Sequence, residues 1–159
     1  DKKTWCPKDE GSMSDFVAGH LRRELREKGI VVNREVEIRP LRGTKAGQET
    51  DILVEAVDLM ARHDSDAIQV IIETKGCWHP ELFSAMRTQL VERYLAENQC
   101  CHGLYLVGYY WCDSWDKRDY RKRQCGEDIE AISQRLKTQA EALSDSKITV
   151  AVRLLDLRF

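Results

Sequence analysis

Three things are scarce in this chain of 159 residues, and each scarcity closes off a class of function. No apolar run approaches the roughly 18 residues that a membrane-spanning helix needs, and no apolar leader opens the chain. A membrane partner is therefore not expected. Charge of one sign is scarce too, since 25 Lys and Arg against 27 Asp and Glu leave a net charge of −2. That balance gives no global signal for nucleic acid, and any such contact must come from a local patch. Cysteine is the third: six residues, well below the density of small disulfide-stapled secreted domains. The expectation is free thiols in a reduced, cytoplasmic setting. Internal repeats and low-complexity tracts are also missing.

What is present is ordinary for a soluble globular domain, with 33% charged and 42% hydrophobic residues. The length suits one domain with a real core. Residues 1–13 carry Pro7, Gly11 and several charges without periodicity, so they read as a tail or linker, and residues 14–159 read as the domain. Because the chain begins at Asp1 without Met, the expectation is a piece of a longer protein whose regulatory domains lie elsewhere.

Hydrophobic periodicity supplies the element order. Ser12 or Ser14 is a plausible N-cap for a helix over about 15–28, with Phe16, Val17, Leu21 and Leu25 as its buried stripe and Gly29 as its stop. Alternation over 31–38 predicts a strand with one wet face, and the polar segment 42–50 leads to a second over about 51–57. Residues 67–76 form a third strand, almost wholly apolar until its end and so covered on both faces. Pro80 marks a helix start, with Leu82, Ala85, Met86, Leu90 and Tyr94 as its stripe. A strand over 103–111, a basic loop, a helix over about 127–143 and a strand over about 148–155 follow. The helix between two apolar strands predicts a parallel crossover and an α/β sandwich around a mixed sheet.

The end of the third strand asks for explanation, because the run Ala67–Ile72 leads directly into Glu73-Thr74-Lys75-Gly76. Side chains alternate along a strand, so Glu73 and Lys75 share a face while Thr74 points to the other. Asp51 heads the preceding strand. If the two strands pair, two carboxylates and an ammonium converge. Two acids from neighbouring strands suit Mg²⁺, which prefers a few oxygen ligands and keeps waters, with the Thr74 backbone carbonyl as a further donor. Lys75 would orient an attacking water or stabilise developing charge. An ordinary surface Glu/Lys pair is the competing explanation, and the buried run leading into the pair argues against it.

Asp51 followed by Glu73-Thr74-Lys75 at the end of a buried strand, in an α-β-β-β-α-β order, resembles the PD-(D/E)XK nuclease superfamily over residues 14–111. The resemblance implies the restriction-endonuclease-like fold: a mixed central sheet flanked by helices, here with an added C-terminal helix and strand. It implies metal-dependent hydrolysis of phosphodiester bonds, Asp51 and Glu73 holding Mg²⁺ or Mn²⁺ and Lys75 assisting the water. DNA is implied ahead of RNA, with endonucleolytic cutting as the effector activity of a bacterial or phage defence or restriction-type protein. Assembly into a homodimer or larger complex would be driven by the rest of the full-length protein. The alternative is a module that keeps the fold and only binds nucleic acid or assembles. Thr50 stands where the family often has Pro.

Further candidates flank this centre. Glu24 lies near the buried face of the first helix, where resolvase-like branches of the family place a further metal or water ligand; a solvated helix carboxylate is the plainer alternative. Gln89 falls on the apolar stripe of the second helix, where the nuclease domains of recombination helicases carry a catalytic Gln followed by Tyr at the fourth position; here Tyr94 is at the fifth. Lys117, Arg118, Tyr120, Arg121, Lys122 and Arg123 are candidates for phosphate contacts and base stacking, or simply a solvated basic loop. Cys100-Cys101-His102 lacks the paired spacing of a zinc site.

Overall fold

A computed structural model describes residues 4–37, 49–56, 68–126 and 128–158. Helix α1 (Glu10–Leu25) and a 3₁₀ turn (Arg26–Lys28) lead into strands β1 (Ile30–Glu37), β2 (Glu49–Ala56) and β3 (Ile68–Gly76). A π-helix (Met86–Leu95) tightens into the α-helical turn α2 (Ala96–Asn98) before β4 (His102–Tyr109), and short α3 (Tyr120–Gln124), α4 (Ile129–Leu143) and β5 (Thr149–Asp156) complete the chain. The five strands lie in the order β1-β2-β3-β4-β5. β1, β2 and β3 pair antiparallel, whereas β3, β4 and β5 pair parallel. The expected mixed α/β sheet and the parallel crossover between β3 and β4 are both present.

Strand parity divides the core in two. Ile52, Ile72 and Leu106 pack with Ala18 and Val32 beneath α1. Ile71, Tyr105 and Val107 face the other way, against Met86 and Leu90 of the π-helix and Ile132 and Leu136 of α4. β3 is thus covered on both faces and buried from Ile71 to Gly76.

Several local expectations are corrected. α1 starts five residues earlier than predicted, because the Asp9 side chain caps it by accepting the Ser12 amide at 2.7 Å. Residues 4–13 are therefore integrated rather than a tail: Trp5 forms a bridge with Trp115 and its ring lies 6.4 Å from that of Tyr110. Phe16, expected in the buried stripe, is 68% exposed, and Met13, Ser14 and Ala18 are buried instead. Gly29 does stop the turn, at φ 68°, the left-handed region that suits glycine. Pro80 does not open the helix: residues 80–84 form turns, and the helical winding begins after them. The basic stretch is partly helical, capped by Asp119.

The cysteines depart from the free-thiol expectation at one pair. Cys77, directly after β3, and Cys125, at the end of α3, form a disulfide with their Cα atoms 5.3 Å apart. Cys100 and Cys101 remain thiols. A crosslink closing 48 residues of chain contributes about 4 kcal/mol on chain-entropy grounds. Urea unfolding with and without reductant should differ by that order, and coincident curves would contradict the pairing. No helix among the described residues is long and apolar enough to cross a membrane.

Gly76 illustrates how tightly the end of β3 is built. A Cβ there would stand 2.5 Å from the Trp78 ring, and its amide donates to Glu10 Oε1 at 2.7 Å. Trp78 is itself wedged between Tyr110 and Trp115, at centroid distances of 5.2 and 5.8 Å, so it has little room to move aside. Gly76→Ala is expected to lower stability by about 1–3 kcal/mol through overpacking. A melting temperature within a degree or so of the parent would contradict this packing.

Candidate active site

The sheet places Glu73, Thr74 and Lys75 at the carboxyl end of its central strand, with exposures of only 2, 1 and 7%. Burying ions is expensive unless they are paired. Here Lys75 Nζ donates to Glu73 Oε1 at 2.5 Å, as the shared parity of the two residues predicts. Thr74, on the opposite parity, points toward α1 and meets the Ser14 hydroxyl at 2.6 Å.

Asp51 joins this group through pairing. The ladder between β2 and β3 ends at Ile52↔Ile72, so Asp51 stands beside Glu73 across the strands. There its carboxylate takes over from the backbone ladder: Oδ2 accepts the Thr74 amide and the Thr74 hydroxyl, both at 2.8 Å. With the Thr74 proton given to Asp51, the single Ser14 hydroxyl proton is shared between Thr74 Oγ1 at 2.6 Å and the Glu10 carbonyl at 3.0 Å. A chain Ser14–Thr74–Asp51 thus fixes the carboxylate from the α1 side. Thr74 was expected to contribute only its backbone carbonyl; its side chain is instead what holds Asp51.

Glu10 is a site residue that sequence reasoning passed over. Early capping by Asp9 puts Glu10 in the first turn of α1, where an acid is favoured by the helix dipole. Its Oε1 accepts the Gly76 amide, and its Oε2 lies 3.9 Å from His79 Nε2. The usable signal was Asp9 followed by a free Ser12 amide, a capping pattern as good as either serine.

These charges shape one another. Burial, then the Asp51 carboxylate, push the Glu73 acid up to about 7, against the opposing pull of Lys75. Desolvation draws the Lys75 ammonium down, but the charge and hydrogen bond of Glu73 outweigh it and leave Lys75 raised. Lys75 is therefore a cation at neutral pH, while Glu73 sits near its midpoint. Tyr94, on the π-helix, is pushed up to about 12 by burial and then by Glu73, so its hydroxyl stays protonated at neutral pH.

Comparison with models of known families and with curated proteins returned no match for this chain. The site must be judged from its own groups.

Among the described residues no three His, Cys, Asp or Glu side chains group closely enough to hold a metal by themselves. The donor set is smaller and matches an ion that keeps its waters. Asp51 commits Oδ2 to Thr74 and Glu73 commits Oε1 to Lys75, leaving Asp51 Oδ1 and Glu73 Oε2 without a hydrogen bond from the described residues. Two neighbouring anions, one held half-protonated by the other and by burial, fit a divalent cation.

The other candidates are placed less favourably. Glu24 is exposed and lies fourteen residues along α1 from Glu10, about 21 Å away at the helical rise. It belongs to the solvated surface, and Glu10 is the acid that α1 brings to the site. Gln89 donates to Glu81 Oε2 at 2.9 Å, and none of its hydrogen bonds among the described residues reaches Asp51, Glu73 or Lys75. Of the basic stretch, Arg121 is spent on Asp119, on the Pro7 carbonyl and on the Trp78 ring 5.0 Å away. Lys122 donates to the Trp115 carbonyl at 2.8 Å. Lys117, Arg118, Tyr120 and Arg123 are exposed, although Arg118 pairs with Asp116. Four of the six are thus available to a ligand, and two are structural.

Proposed function

We propose that this chain is a metal-dependent phosphodiesterase of the PD-(D/E)XK type, acting as an endonuclease with DNA as substrate. The observation that carries the reading is Lys75, a lysine only 7% exposed, locked to a 2% exposed Glu73 beside Asp51 at the end of the central strand. A stability role alone does not account for burying Glu73 and Lys75 together beside a half-buried Asp51, since apolar residues of similar size serve a core at least as well.

A divalent cation held by Asp51 and Glu73, Mg²⁺ or Mn²⁺, would supply the Lewis acid that neutralises charge on the scissile phosphate and lowers the pKa of the attacking water. Asp51 is oriented by two hydrogen bonds from Thr74. Glu73 must shed its proton to act, and Lys75 favours that form. Lys75 has three donors and gives one to Glu73. The remaining two can orient the water and stabilise charge developing on phosphate oxygens. Exposed Lys117, Arg118 and Arg123 contribute phosphate contacts away from the reacting group.

Incubating the chain with supercoiled plasmid and Mn²⁺ or Mg²⁺ tests the reading. Nicked or linear product that disappears with EDTA supports it. Tight DNA binding with no cleavage under any divalent ion would favour a binding module that retains only the architecture.

A further inference from the structure

A cavity of about 370 Å³ lies just past the carboxyl end of β3. Its lining includes buried Cys77, Leu82 and Ile132, half-buried Phe83 and exposed Gln124, so it is walled by the core and reachable from solvent. In open α/β sheets, the crevice outside the carboxyl ends of the strands is where ligands bind. A mostly apolar hollow with a few polar groups is also the usual form of a small-ligand site.

Strand parity puts this cavity on the face of the sheet that carries Glu73 and Lys75. Cys77 shares their parity, and its amide prolongs the ladder to β4 by donating to the Gly108 carbonyl at 2.9 Å. It therefore follows Lys75 on the same face, about 7 Å further along at the strand rise. A second path leads to the same wall. Tyr105 stands beside Glu73 across β3 and β4, and its hydroxyl donates to the Leu82 carbonyl at 2.9 Å. The cavity is thus within the reach of one nucleotide from the reacting groups.

The lining selects which part of a nucleotide fits. Among the described residues no Asp, Glu, Lys or Arg lines the cavity, so it suits an uncharged group and not a phosphate. Phe83 is held from behind: the Arg135 guanidinium lies 3.6 Å from its ring centroid, and its carbonyl accepts from Gln139 Nε2 at 2.6 Å. Arg135 covers one face of the ring, and a flat partner in the cavity would meet the other. The Gln124 amide carries donors and an acceptor, the complement of a base edge. We infer that this cavity takes a nucleobase of the substrate, swung out of its stack onto Phe83 and hydrogen-bonded to Gln124 while its phosphate lies at Glu73 and Lys75. This rests on the nuclease reading and adds a substrate class to it: single-stranded or locally opened nucleic acid, in which a base swings out at least cost.

The test compares two DNA single strands of equal length bound to the whole chain, one of mixed sequence and one made only of abasic nucleotides, with EDTA present so that nothing is cut. They carry the same backbone charge and differ only in their bases. Wild type is expected to bind the base-bearing strand about tenfold tighter. Phe83→Leu keeps an apolar side chain without the ring, and Gln124→Ala changes only an exposed amide. Each should reduce that preference several-fold, with the abasic strand bound as before and the salt slope unchanged, because no phosphate contact is lost. Melting curves establish folding, and if Phe83→Leu does not fold, Gln124→Ala decides the matter. Full preference retained by the folded variants would overturn the inference. If wild type cleaves DNA but binds the two strands equally, only this inference fails. If wild type neither binds nor cleaves, the nuclease reading fails and takes this inference with it.

Discussion

Replacing Lys75 by methionine is expected to lower metal-dependent cleavage by about a hundredfold or more while leaving the chain folded. Methionine fills a similar volume, so the core around Val107 and Tyr105 stays packed. The ammonium that donates to Glu73 is lost, however, and with it the donors available to water and phosphate. Glu73 would not remain as an unpaired buried anion. It is already held up to about 7 with Lys75 present, and without that cation it rises further and is neutral at pH 7. Folding therefore survives while the ionised carboxylate that the reaction needs is depleted. Single-turnover cleavage together with far-UV circular dichroism would check both halves. Near-parental cleavage by a folded Lys75→Met chain would remove Lys75 from the chemistry.

The second large effect is on pH. Glu73 titrates near 7 in the folded chain, pushed there by burial and by Asp51, against a usual value of 4.5. Its folded value is the higher one, so the stabilisation linked to it is fully present below about 4.5 and is lost as pH rises through 7. The metal-free chain should therefore lose on the order of 3 kcal/mol between those limits from this group. Activity runs the other way. A protonated Glu73 cannot hold a cation, so cleavage at limiting Mn²⁺ should rise about tenfold per pH unit up to neutrality and then level off. Raising Mn²⁺ should move the midpoint to lower pH, because cation and proton compete for the same carboxylate. A flat profile from pH 5 to 8, or a midpoint that ignores Mn²⁺, would separate Glu73 from cation binding.

These effects trace back to features of unequal visibility in the sequence. The β3 residues were legible because they obey a strict period: a run of six residues with a single polar member, Gln69, announces a central strand, and alternation then decides which of Glu73, Thr74 and Lys75 share a face. Asp51 was legible for a similar reason, as the first residue of the adjoining apolar run. The helical acids were harder. Glu24 matched the stripe by spacing, but the choice between Asp9 and the serines as cap shifts the start of α1, and with it which acid reaches the end of β3. That choice depends on the Gly76 amide seeking an acceptor, a tertiary fact. Phe16 shows the same limit, since a stripe inferred from hydrophobicity assumed that every large apolar residue of α1 faces the sheet.

The spacing on the helix between β3 and β4 was misjudged for a different reason. Spacings counted on an α-helix set Tyr94 one residue out of phase with Gln89, whereas π-winding changes the period over Met86–Leu95. Gln89 nonetheless turns to Glu81, and Tyr94 is the one of the two that is buried. No local pattern in the sequence announces such winding. The Cys77–Cys125 pairing is invisible for a similar reason, because 48 intervening residues must fold before the two sulfurs meet.

Asp51→Asn tests the central claim most directly, because asparagine keeps the shape and can still accept from Thr74 while removing the charge shared with Glu73. Mn²⁺ affinity and plasmid cleavage should be measured side by side on wild type and this variant. The account predicts that wild type binds Mn²⁺ and nicks DNA, and that Asp51→Asn loses both while melting within a few degrees of the parent. Equal Mn²⁺ binding and equal nicking in the two proteins would contradict a hydrolytic centre built on Asp51, Glu73 and Lys75.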